Sequence, residues 1–124
     1  MQVFMTDKLF CEVQRLAVRK RRNEERIPRE DLEGKYRKSY EKLCLDLKEA
    51  QGQLRAAYTE RIREVSSVVA ELPYIDFSQD AGKARLMERC ADVREKYPDL
   101  FTKKLLIAVQ DTVKALCEEG ESHE

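Results

Sequence analysis

The chain has 124 residues, of which 39% are charged and 42% hydrophobic, and its 24 basic side chains balance 24 acidic ones. This length predicts one domain with a modest core, and the composition is typical of long helices with a heavily solvated surface. Zero net charge gives no general argument for binding nucleic acid or an acidic membrane. No apolar run is long enough to span a membrane and the N-terminus has no signal-peptide pattern, so we expect an intracellular, cytoplasmic protein.

The sequence contains no pattern typical of a catalytic or metal site. His123 is the only histidine, and the four glycines are isolated, so neither a histidine base nor a glycine-rich phosphate loop is expected. The cysteines at positions 11, 44, 90 and 117 are scattered among apolar residues without a CxxC pair. They are typical of small buried hydrophobes in a reducing compartment. We expect no cofactor, no metal and no enzymatic activity.

The first predicted helix covers residues 6–26. Thr6 can cap its N-terminus. An apolar stripe at spacings of three and four residues follows, formed by Leu9, Phe10, Val13, Leu16 and Ala17. The helix should end near Ile27, because the residue before a proline is biased away from the α conformation. So short a connection predicts that this helix covers the N-terminal half of the next one.

The strongest charge feature lies within this first helix. Five basic residues occur within eight positions: Arg15, Arg19, Lys20, Arg21 and Arg22. One interpretation is a solvated helix end, whose cations favour the C-terminal dipole and pair with nearby acids. The alternatives are a patch for nucleic acid or phosphate, a nuclear-targeting signal, and a surface for an acidic protein. The absence of interleaved aromatics argues against nucleic acid without excluding it.

Residues 28–72 form the central element of the predicted fold. Two series repeat at intervals of eleven residues: Tyr36, Leu47, Tyr58 and Val69, and Leu32, Leu43, Leu54 and Val65. An eleven-residue repeat keeps an apolar stripe on one side of an α-helix, and this pattern predicts one long helix. A heptad pattern also fits up to Ala57, slips by one residue at Tyr58, and continues through Ile62. The alternative is a break at Gly52, where a mid-helix glycine costs about 1 kcal/mol relative to alanine.

The length of this helix implies a partner. An unbroken helix over residues 28–72 would span about 67 Å, whereas a compact domain of this size has a radius of gyration of only about 14 Å. We therefore expect another long helix or another chain along its stripe. The second half and the loop 73–78 are the predicted partner-binding surface, formed by Tyr58, Ile62, Val65, Val69, Leu72, Tyr74, Ile75 and Phe77. The alternative is that the apolar loop residues Tyr74, Ile75 and Phe77 tuck under the bundle.

Two further helices complete the prediction, at residues 79–97 and 98–118. Leu86, Met87, Cys90, Val93 and Tyr97 are expected to face inward in the first of these. Pro98 suits the first turn of the second, where Asp99 adds favourable negative charge. Residues 121–124 are predicted to be an acidic disordered tail.

The predicted fold class is all-α: an elongated antiparallel bundle of about four helices, built on one long central helix with coiled-coil-like packing, in a single domain over residues 1–120. The predicted function is that of a non-enzymatic adaptor or structural subunit. Its long helix would bind a protein partner or mediate self-association, with a homodimer as one form. The alternatives are a nucleic-acid or phosphate binder using the basic cluster at 15–22, and a chaperone for a client segment.

Overall fold

The computed structural model describes residues 4–122 and confirms the all-α class. Its elements are α1 (Met5–Arg26), α2 (Arg29–Glu33), α3 (Arg37–Glu71), a 3₁₀ turn (Leu72–Tyr74), α4 (Asp80–Lys96) and α5 (Leu100–Ser122). No strand occurs among these described residues. The side chains of residues 121 and 122 are not described.

The long predicted helix is interrupted at Gly34 rather than at Gly52. After the short α2, the amide N–H of Gly34 donates to the Asp31 carbonyl (3.3 Å) and that of Tyr36 to the same carbonyl (2.7 Å), which closes a turn before α3. Glycine has a low helix propensity, and the five residues of α2 cannot propagate a helix past it. The prediction of one helix from Pro28 was therefore wrong over its first two turns, whereas α3 continues through Gly52.

Other predicted boundaries also differ from the observed ones. Thr6 does not cap α1, since the helix already begins at Met5 and Thr6 is buried within its first turn. The last helix begins at Leu100 instead of residue 98 and extends to Ser122. Residues 121 and 122 of the predicted disordered tail are thus helical, and residues 123 and 124 lie outside the described part.

Contacts cluster in two compact units, Met1–Tyr58 and Thr59–Glu124. The core of the first unit joins two residues of α1 to the N-terminal half of α3, and consists of Val13, Leu16, Leu43, Leu47, Ala50 and Leu54. Leu9, Ala17 and Tyr58 pack against it. The α3 residues recur at spacings of four and three, which keeps them on one helix face.

The core of the second unit combines residues from α3, α4 and α5. It consists of Val65, Val68, Leu86, Cys90, Val93, Tyr97 and Leu106. Burial raises the pKa of the Cys90 thiol, which is only 1% exposed. The thiol therefore stays protonated at neutral pH and acts as a small apolar side chain.

The segment before α4 packs closely against Gly82. A Cβ atom at position 82 would lie 2.0 Å from the backbone oxygen of Asp76 and 3.1 Å from Cγ2 of Ile75. The Asp76 carboxylate accepts hydrogen bonds from the Ser78 amide (3.0 Å) and hydroxyl (2.5 Å), which fixes this turn. Gly82 is thus required by space, whereas at Gly52 nothing lies within 4 Å of the position a Cβ would take.

These two glycines should respond in opposite directions to alanine. Gly52→Ala should raise the free energy of unfolding by about 1 kcal/mol, because alanine favours the helix and meets no neighbour. Gly82→Ala should lower it, because the backbone of Asp76 must move. Urea unfolding followed by circular dichroism measures both changes. A destabilised Gly52→Ala variant would contradict the continuous α3.

Candidate protein-binding surfaces

A buried ion pair sets which face of α3 points inward in the second unit. The Arg61 Nε donates to Oδ1 of Asp99 at 2.8 Å, and the two side chains are 15% and 2% exposed. The guanidinium also lies 4.6 Å from the ring centroid of Tyr97. Arg61 therefore occupies an inward position of α3, one residue before Ile62, which the apolar pattern had placed inside.

The partner of Arg61 also caps α5. Oδ2 of Asp99 accepts a hydrogen bond from the amide N–H of Thr102 at 3.0 Å, and the Thr102 hydroxyl donates to the same carboxylate. Burial raises the pKa of Asp99, but the bonds from Arg61 and Thr102 outweigh burial, so the pKa lies below its ordinary value. The carboxylate is therefore charged at neutral pH and holds α3 and α5 together.

One hydrogen bond and three ion pairs join α3 to α4 and to Tyr97, the residue that follows α4. The Tyr97 hydroxyl donates to Glu60 at 2.7 Å, and Lys96 pairs with Glu64 at 2.9 Å. Glu71 accepts from Arg89 at 2.6 Å and from Arg85 at 3.0 Å, and the Arg89 bond lowers the pKa of Glu71 despite an opposing effect of desolvation. All four contacts join side chains that are distant in sequence, so they fix the rotation of α3 in this unit.

The eight residues predicted to bind a partner are divided by this rotation. Val65 is 7% exposed and lies in the core, and Leu72 and Phe77 pack against the same core. Tyr58 packs against the core of the first unit, and Ile75 is half-buried. These five side chains are therefore buried or half-buried.

The remaining three predicted residues are exposed. Ile62, Val69 and Tyr74 are 49%, 43% and 90% exposed. Val68, which is 1% exposed, takes the inward position that the apolar pattern had given to Val69.

Ile62 and Val69 belong to an uncharged face of α3, which we call the neutral strip. It consists of Thr59, Ile62, Ser66, Val69 and Ala70, continued by Pro73, and all six are exposed. At 100° per residue the five helical members share one side of α3. The charged residues of this part of the helix, Glu60, Arg61, Arg63, Glu64 and Glu71, fall outside that face. In a chain that is 39% charged, an uncharged face about 20 Å long is unusual.

The basic cluster at 15–22 does not form one patch. Arg15 pairs with Glu12 (2.6 Å) and Lys20 with Glu24 (2.5 Å). Glu24 also accepts a hydrogen bond from the Tyr40 hydroxyl at 2.5 Å, which raises the pKa of that tyrosine. These contacts agree with the interpretation of part of the cluster as a solvated, ion-paired helix surface.

Arginines of the cluster combine with Arg26 in a row that we call the arginine ridge. It consists of Arg15, Arg19, Arg22 and Arg26, at spacings of four, three and four residues along α1. A groove of about 650 Å³ runs along the ridge and is also lined by Cys11 and Val18. Within residues 4–122, Arg19, Arg22 and Arg26 form no ion pair. Arg21 lies off the ridge, 3.8 Å from Glu25.

A second groove lies in the second unit and was not predicted. It measures about 520 Å³ and is lined by Phe77, Leu86, Met87, Val113 and Cys117, with Lys83 and Lys114 also present. Met87 was expected to face inward but is 66% exposed. The buried residues of α4, Leu86, Cys90, Val93 and Tyr97, follow spacings of four, three and four. That register leaves no inward position for residue 87.

No family model, no curated protein and no solved structure matches this chain. Its function must therefore be inferred from its own surfaces. Among the described residues, no helix is both long and apolar enough to cross a membrane. Nor does that part of the chain gather three or more His, Cys, Asp or Glu side chains in a group that could hold a metal ion.

The buried ion pair should be essential for the stability of the second unit. Asp99→Asn keeps a side chain able to cap α5 but removes the negative charge that pairs with Arg61, and should cost about 2–3 kcal/mol in the free energy of unfolding at pH 7. Urea unfolding measures this loss. Asp76→Asn, in an exposed turn, is the matched control and should have a much smaller effect.

The effect of Asp99→Asn should depend on pH. Because the native pKa of Asp99 lies below the ordinary 3.8, the stabilisation is complete above that value and is lost as pH falls through the native pKa. The difference between wild type and Asp99→Asn should therefore shrink below pH 3.8. An unchanged difference at lower pH would contradict a charged Asp99 in the native state.

Proposed function

We propose that the protein is a non-enzymatic helical adaptor or structural subunit, which binds an amphipathic helix of a partner protein along the neutral strip of α3. The observation that supports this most is the absence of charge on an exposed helix face that carries Ile62 and Val69. These two side chains are seven residues apart, and a partner helix laid along α3 would cover both. A partner helix of about four turns matches the length of the strip.

The chemistry of the strip favours a helix over other partners. Ser66 is small and lies between Ile62 and Val69 along the helix, so a helix backbone can approach closely there, and the small Ala70 follows Val69 at the edge of the strip. A charged partner would lose hydration against this face without gaining an ion pair. The packing between the two helices would then be of the coiled-coil kind predicted for the long helix.

The magnitude of the available burial predicts a weak, reversible contact. Burying the exposed halves of Ile62 and Val69 and the ring of Tyr74 yields about 4 kcal/mol, at 1.5–3 kcal/mol for a fully buried apolar side chain. A micromolar complex needs about 8 kcal/mol. The strip therefore acts together with further contacts, as expected of an adaptor in a larger assembly. The reducing interior of the cell, which suits four unpaired cysteines, is the proposed location.

Site-specific photo-crosslinking in the source cells tests this proposal. A photo-crosslinking residue at position 66 should form an adduct with a partner segment whose sequence has an uncharged apolar helix face. Ile62→Glu with Val69→Glu should abolish the adduct, because each charge would be buried against that face. Leu45→Glu, at a leucine of α3 that is 63% exposed and lies off the strip, should leave it intact.

Two outcomes would reject the proposal. Adduct formation at position 66 no higher than at position 45 would show that the strip has no dedicated partner. Adducts with extended segments of many unrelated proteins would instead favour the chaperone alternative.

A further inference from the structure

The zero net charge of the chain conceals opposite charges on its two units. Residues 1–58 contain 14 basic and 10 acidic side chains, and residues 59–124 contain 10 basic and 14 acidic ones. The first unit therefore carries a net charge of +4 and the second of −4. Opposite fields of this kind steer unlike surfaces towards each other over distances of about a Debye length.

The excess positive charge of the first unit is concentrated on the arginine ridge. Arg15 and Arg19, and likewise Arg22 and Arg26, are four residues apart, so like charges face each other along the helix. Such like-charge pairs destabilise an isolated helix. An anionic surface laid along the ridge would remove this repulsion.

The second unit presents a matching row of carboxylates on α4. Glu88, Asp92 and Glu95 are exposed and spaced by four and three residues, and Ala81, Ala84 and Ala91 accompany them on the same face. Within residues 4–122 none of the three forms an ion pair or hydrogen bond, although Asp92 acts as a nearby charge on Arg89. The small alanines would allow another helix to approach closely. We call these three carboxylates the acidic row.

We propose that the arginine ridge of one molecule binds the acidic row of a second copy of the same chain. Arg26, Arg22 and Arg19, the three ridge arginines without an ion pair, repeat in reverse order the four-and-three spacing of the row. Each carboxylate can therefore meet one guanidinium when the two helices run in opposite directions. Arginine is suited to this contact because its planar fork binds a carboxylate with two hydrogen bonds.

The contact joins two different surfaces and is therefore heterologous. In a pair of molecules, one keeps a free row and the other a free ridge, so further copies can add until a ring closes. This contact uses neither the neutral strip nor the core. It can fail while the proposed adaptor function holds, and the reverse is also true.

A second copy fits the ridge better than nucleic acid does. The net charge of the second unit would oppose a phosphate backbone, and the ridge itself carries no aromatic side chain for base stacking. The acidic row instead offers three carboxylates at the spacing of the ridge.

Sedimentation velocity of the full chain tests the association. At about 10 mM salt the Debye length is about 30 Å, and the sedimentation coefficient should rise with protein concentration. At about 1 M salt the Debye length is about 3 Å, and the sedimentation coefficient should no longer depend on concentration. A wild-type protein that stays monomeric at millimolar concentration in low salt would overturn the proposal.

Two neutralised variants test the heterologous geometry. Arg19→Gln with Arg22→Gln removes the centre of the ridge, and Glu88→Gln with Asp92→Asn removes most of the row. Each variant alone should associate about tenfold more weakly, since two of the three exposed charge pairs are lost. A mixture of the two retains one intact ridge and one intact row, so it should form a dimer and nothing larger.

The remaining outcomes are equally decisive. Loss of association in the mixture as well, or association of wild-type strength in either variant alone, would overturn the proposal. So would association that appears only when a duplex oligonucleotide is added and is lost in the ridge variant, which would assign the ridge to nucleic acid.

Lys38→Gln, at an exposed cation off the ridge, is the matched control and should associate as wild type does. Circular dichroism should show unchanged helicity in every variant.

Discussion

The pair formed by Arg61 and Asp99 is the interaction on which the second unit depends. A charge this deeply buried is tolerable only with a partner and further hydrogen bonds, and here the carboxylate has both, from Arg61 and from Thr102. One side chain thereby fixes the rotation of α3 and the start of α5. The position of every exposed residue of α3 in this unit follows from that rotation.

The same pair explains where reasoning from the sequence succeeded and where it failed. Helix content, the turn after Arg26, the proline after Leu72 and the stripe of leucines up to Leu54 are local properties of spacing and propensity, and they were predictable. The slip at Tyr58 was also visible. The residues that face inward after the slip were not predictable. An apolar pattern places Ile62 inside instead of Arg61, and the buried position of Arg61 depends on its ion pair with Asp99, which is distant in sequence. Val68 and Val69 are chemically identical, so nothing local distinguishes the buried one.

The candidate surfaces were predictable to a similar degree. The sequence indicated the second half of α3, and four of its eight candidate residues lie in or pack against the core of one unit. The basic cluster was evident in the sequence, but the positions of its side chains follow from the helix. Lys20 and Arg21 lie off the ridge beside acidic residues. Arg26, four residues beyond the cluster, lies on the same face as Arg15, Arg19 and Arg22. The ion-paired acids could be expected from spacing alone. The opposite charges of the two units could not, because the division at Tyr58 falls inside a continuous helix.

The reactivity of the buried Cys90 thiol can be used to measure local unfolding of the second unit. Cys11 is exposed, whereas Cys90 is shielded by the core and kept protonated. A thiol reagent applied under native conditions can reach Cys90 only through transient local unfolding, and the ratio of its labelling rate to that of an unfolded chain gives the free energy of that opening. The natural sequence thus allows the cooperativity of this unit to be followed without denaturant and without introducing a probe.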